Sequence, residues 1–258
     1  MNRLNHLIFA FWIYTTIFVG IFFYSMYLSG DTHFYDMLLN ITIGGFAVSF
    51  ILVPIFYSRA NVHKERPDES FSSHKATIGA LFLVSFSFGI LATILIMSYY
   101  YHIPIIGNIN IPLGALITII GGLVPDWDII LMGVGAHRNI LFHSAIVPLI
   151  FTAGGIYDIV SHFLAGLPLV TTDVQYFLMA MFLIGYASHL MLDIYPSNKN
   201  IFDLIWRVIS PFDEAPTGIK GFGKNLTKRQ AKSWLYSNAS LLILYALILM
   251  AAYFGGIL

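Results

Sequence analysis

Three short clusters of ionisable side chains interrupt apolar runs in this 258-residue chain. Asp126 and Asp128 flank Trp127. His137 and Arg138 are followed by His143 and Ser144. Ser188 and His189 precede Asp193. The clusters offer carboxylates and imidazoles, a donor set suited to a divalent metal. His189 and Asp193 are four residues apart, so one helix face presents both. Asp126 and Asp128 are two apart, and a locally extended turn after Pro125 would aim both to one side. His137 and His143 are six apart and do not share a helix face, which assigns His137 to a loop and His143 to a helix. Such ligands hold one or two ions, with a bound hydroxide placed to attack phosphorus or a carbonyl. The chain has no cysteine, so thiolate sites are excluded. Imidazole favours zinc, with manganese as the alternative, over calcium. Arg138 offers a planar fork of donors for an anionic substrate group such as phosphate. Asp128 is the candidate general base. Ser144 and Ser188 are candidates to orient ligands.

The elements that must position these groups are membrane helices. Hydrophobic residues make up 58% of the chain and charged residues 10%, against about 25% charged in soluble domains. The expected fold is an all-α, polytopic membrane bundle, one integral domain over residues 1–258. It has about seven transmembrane segments, near 7–29, 36–57, 76–98, 113–134, 140–162, 175–195 and 237–258. Pro125 lies inside the fourth and is expected to break it. Residues 196–236 form a polar loop. Within it Ile201, Leu204, Ile205, Val208 and Ile209 recur at the spacing of an amphipathic surface helix, and Lys224 to Trp234 reads as a basic, interfacial helix start. Gly44-Gly45 and Gly121-Gly122 mark close helix contacts. Asp158 and His162 read as a separate interfacial pair.

Charge sets the expected orientation. All 13 Lys and Arg residues fall at the N-terminus or in even-numbered loops of this scheme. Basic loops stay cytoplasmic. A multi-pass protein of the inner or plasma membrane follows, with N-terminus and clusters cytoplasmic and C-terminus outside. Zero formal net charge gives no global field to attract nucleic acid, and membrane lipids are the evident partners.

Taken singly, each cluster has a plainer reading. His189 and Asp193 could be a hydrogen-bonded pair joining helices. Asp126 and Asp128 could be a helix end reaching water. His137 and Arg138 could anchor a hairpin. Their convergence at one membrane depth favours a shared site, because an intramembrane carboxylate costs about 2.5–3.5 kcal/mol. The leading expectation is a metal-dependent hydrolase of a phosphoester or ester in a lipid or lipid-linked substrate. The alternatives are a divalent cation or proton transporter and a non-catalytic scaffold.

At these clusters the chain resembles the membrane-bound, metal-dependent hydrolases of the YdjM type, described as LexA-binding and inner-membrane-associated. The matching stretches are Gly121 to Asp128, then His137-Arg138-Asn139 with His143-Ser144, then Gly185 to Leu190 with Asp193, and later Ser210-Pro211-Phe212. They cover about residues 113–213, and the first two and last spans lie outside. The resemblance implies a hydrolase with Asp126, Asp128, His137, His143, His189 and Asp193 as metal ligands. The gap from His137 to His143 is one residue longer than in many members. The His-x-x-x-acid helix is also remotely similar to zinc-dependent phospholipase C.

Overall fold

The structure, a computed structural model, describes residues 3–28, 30, 33–61, 71–101, 109–132, 138–194, 219–220 and 225–257. The described residues are helical apart from turns, short extended links and two isolated bridges. The helices are α1 (Arg3–Leu28), α2 (Phe34–Asn61), α3 (Phe71–Tyr101), α4 (Ile111–Leu123), α5 (Trp127–Met132), α6 (Ile146–Phe151), α7 (Ala153–Ala165), α8 (Val174–Leu192) and α9 (Lys228–Ile257). Six passages are long and apolar enough to cross a membrane: α1, α2, α3, the continuous run α4–α5, α8 and α9. Hydroxyls inside these helices bond the carbonyl one turn back, as in Ser25 to Ile21, Thr93 to Gly89 and Thr118 to Gly114. No polar group is then left to face lipid unbonded at those positions.

The chain divides into two compact units. One contains residues 11–111 with 200–209, the other residues 1–10, 112–199 and 210–258. In the first, α2 and α3 pack through glycine. Gly89 lies against the Gly44 carbonyl and Gly45, and Gly45 faces the Phe86 ring. The Gly44-Gly45 pair thus makes the close contact its sequence suggested.

In the second unit, α4 and α8 touch backbone to backbone. A Cβ on Gly185 would collide with the Thr118 carbonyl, and one on Gly121 with the Phe182 carbonyl. The stretch expected as a fifth span, 140–162, is not a single helix. Residues 138–145 are turns and bends, and the helix starts at Ile146 and is interrupted at Thr152 (φ −109°, ψ 20°). The Thr152 carbonyl takes the Tyr245 hydroxyl at 2.9 Å. The chain from 143 to 171 still follows α9 end to end. Trp234 Nε1 donates to the His143 carbonyl, Tyr245 to Thr152, and Thr171 N–H to the Ala252 carbonyl. From Trp234 to Ala252 is about 27 Å of helix, near the thickness of a hydrocarbon core.

One other expectation changes. Asp158 does not pair with His162 through its carboxylate, which instead accepts from the Tyr176 hydroxyl at 2.9 Å; His162 Nδ1 meets the Asp158 backbone carbonyl. The last helix begins at Lys228, inside the basic stretch read as a helix start, and runs without a break into the final span. The amphipathic helix read at Ile201–Ile209 lies outside the described residues.

Candidate metal centre

The second unit gathers its ionisable side chains at one end. The chain segments meeting there are the start of α1, the Pro125 turn with the start of α5, the link 138–143, and the end of α8. His6, Asp126, Asp128, Arg138, His143, His189 and Asp193 are all buried there, none more than 6% exposed. This is also the basic end of the unit, with Arg138, Lys220 and Lys228, while the opposite end, from Asp158 to Asp173, has no Lys or Arg.

At Pro125 the helix tightens into a single 3-10 turn, Val124–Asp126, whose flanking residues Leu123 and Trp127 stay in the right-handed helical region. The locally extended turn expected there does not form, because α5 restarts at once. The two carboxylates accordingly take different places. Asp126 Oδ1 lies 3.8 Å from His189 Nε2. Asp128 Oδ2 accepts the Asn139 N–H at 3.0 Å and lies 3.6 Å from His143 Nδ1. Asp128 therefore stands behind His143, and Asp126 beside His189.

The close approach of α4 and α8 fixes His189. Its Nδ1 lies 2.7 Å from the Gly122 carbonyl. A carbonyl can only accept, so Nδ1 carries the proton and Nε2 is the nitrogen turned into the cluster. His143 is held alike. Its Nδ1 lies 3.2 Å from the Asn139 carbonyl, and Nε2 approaches Asp193 Oδ2 at 2.9 Å. Its carbonyl is fastened by the Trp234 indole, and Tyr186 donates to the neighbouring Phe142 carbonyl.

Asp193 is the hub. Oδ1 accepts from Arg138 Nη2 at 3.1 Å and lies 3.6 Å from His6 Nε2. Oδ2 faces His143 Nε2 at 2.9 Å and His189 Nε2 at 3.5 Å. Arg138 adopts φ +64°, a left-handed conformation costing roughly 1–2 kcal/mol in a residue with a side chain. Backbone bonds on either side of it hold the turn: Lys220 N–H donates to the Arg138 carbonyl, and Ile140 N–H to the Lys220 carbonyl, both at 2.9 Å.

The donor set fits a divalent cation. Neither His189 Nε2 nor Asp193 Oδ2 makes a hydrogen bond, although both are fully buried. Ligand atoms around one ion with bonds of about 2.0–2.2 Å sit about 3.0–3.5 Å from one another. The observed separations of 2.9, 3.5 and 3.8 Å bracket that range. With neutral imidazoles, the carboxylates of Asp126, Asp128 and Asp193 outnumber the one guanidinium of Arg138 by two, an excess that one divalent ion balances. Buried charge without such balance is strongly disfavoured.

Of the residues singled out from sequence, Asp126, Asp128, Arg138, His143, His189 and Asp193 come together. His137 lies outside the described residues. Ser144 and Ser188 do not orient ligands: their hydroxyls donate to the Leu141 and Gly185 carbonyls. Sequence reading missed His6, whose ring stacks on His189 at 3.8 Å between centroids. The available signal was a histidine at the start of an apolar run, on the basic side. No family model, curated protein or solved structure matches the chain.

Proposed function

We propose that this protein is a membrane-embedded, divalent-metal-dependent hydrolase. The observation that carries the reading is the convergence of inward-facing imidazole nitrogens on the Asp193 carboxylate, with Asp126 alongside. His143, His189, Asp126 and Asp193 are the ligands, and zinc suits them best, with manganese as alternative. An ion so held would lower the pKa of bound water toward neutral and polarise the bond to be cleaved.

Asp128 supports His143 at one remove: its carboxylate accepts the Asn139 N–H, and the Asn139 carbonyl takes the His143 Nδ1 proton. Arg138 holds Asp193 in place and neutralises part of its charge. Asp126, on the cluster side of His189, accepts the proton lost by the attacking water. All of these groups lie between residues 126 and 193, within one compact unit.

The resemblance to metal-dependent membrane hydrolases supports hydrolysis. The position of the cluster at the ends of apolar helices supports an ester or phosphoester carried by a lipid. One-sided basic charge supports a cytoplasmic site and N-terminus, an outside C-terminus and an inner or plasma membrane. A second reading, cation transport without hydrolysis, is favoured by the near-complete burial of the cluster, since intramembrane Asp and His residues also form ion relays.

The test is metal analysis of the purified full chain, followed by zinc-dependent release of phosphate or head group from a lipid panel. Stoichiometric metal with such release supports the hydrolase. Zinc flux in proteoliposomes without release supports transport. Protein that folds and holds no divalent metal overturns both.

A further inference from the structure

We propose that His6 is a ligand of this centre, so that the first turns of α1 complete it through a His6–His189–Asp193 triad. The proposal rests on reading the cluster as a metal centre. One ligand atom from each of these residues lies within 4.8 Å of the others, and all are buried. Two ligands of one ion with bonds of about 2.2 Å are at most about 4.4 Å apart, so the triad's atoms lie near the span one ion sets, and the stacked His6 and His189 rings splay apart to turn both lone pairs onto it.

Core packing does not account for His6. It is 2% exposed, and its Nδ1 makes no hydrogen bond. Its Nε2 stands 3.6 Å from Asp193 Oδ1, beyond hydrogen-bond range. A buried polar group left in that state costs roughly 1–3 kcal/mol, which an apolar side chain of similar size would avoid. The ring is nonetheless held in register with the centre. It lies 15° from parallel with His189, and Gly122, whose carbonyl orients His189, abuts Ala10 one turn further along α1. The stacking turns both rings' edges toward one carboxylate.

The absence of cysteine from the chain provides a direct test. His6→Cys introduces a single thiol, and soft thiolate binds zinc-type ions well. The full-length protein, purified in detergent, is titrated with cobalt(II). The wild type is expected to bind cobalt without a thiolate-to-metal charge-transfer band, and His6→Cys to bind it with that band. His6→Ala is expected to weaken zinc binding at least tenfold, and His162→Ala, far from the centre, to leave it unchanged. A cysteine variant that binds cobalt without the band overturns the assignment of His6 and leaves the centre standing. Wild type that binds no cobalt or zinc overturns the centre itself. Should the cysteine variant not fold, X-ray absorption on the zinc-loaded wild type decides: three imidazoles support His6, and two or fewer overturn it.

Discussion

Helices α2 and α8 are both apolar enough to cross a bilayer, yet protein encloses 17% of the α2 span and 67% of the α8 span. The more enclosed helix is the less apolar one. In water the opposite would hold, because burial there follows hydrophobicity. In a bilayer, lipid serves an apolar side chain as well as protein does, so association depends on small residues and polar groups. Helix α2 turns Phe50 and Ile51 outward. Helix α8 turns Gly185 onto α4 and ends in His189 and Asp193. Polar residues in α8 therefore mark its interior face.

This contrast can be broken in graded steps. Asp193→Ala or His189→Ala removes the hub or a principal ligand, and bound zinc should weaken by more than about 100-fold in a competition titration, beyond the range of a supporting residue. Asp128→Asn leaves the ligands but loosens His143, and the same titration should report a loss of about 10–100-fold. Gly185→Leu forces a side chain into the Thr118 backbone. It should cost about 1–3 kcal/mol of stability, seen in thermal unfolding in detergent, and should also weaken zinc by displacing His189 from Gly122. At the other end of α8, Tyr176→Phe deletes the bond to Asp158. It should cost roughly 1 kcal/mol and leave zinc affinity unaltered. On α2, Ile51→Leu should change stability by less than about 0.5 kcal/mol. An equal response at Ile51 and Gly185 would remove the distinction between the two helices.

The fold was legible where the physics is local. Long apolar runs produce α1, α2, α3, α8 and α9 because an unbonded backbone is intolerable in lipid. The site was legible where spacing suffices, as for His189 and Asp193 on one helix face. Three features depended on partners distant in sequence. At the Thr152 interruption the carbonyl takes the Tyr245 hydroxyl, 93 residues away, beside the Ile156 N–H. Asp126 and Asp128 part company because one meets α8 and the other the 138–143 link, and α5 resumes where an extended turn was expected. Arg138, read from sequence as a clamp for a substrate anion, lies against Asp193, a pairing across 55 residues. His6 went unseen because a lone histidine has no spacing to interpret.

The most direct measurement is an anomalous-scattering map recorded at the zinc edge on crystals of the full-length protein. The account predicts a peak about 2.0–2.2 Å from His189 Nε2 and from an Asp193 carboxylate oxygen, with His143 beside it. Ordered density for those side chains with no peak between them, or a zinc peak bound elsewhere in the chain, would contradict it.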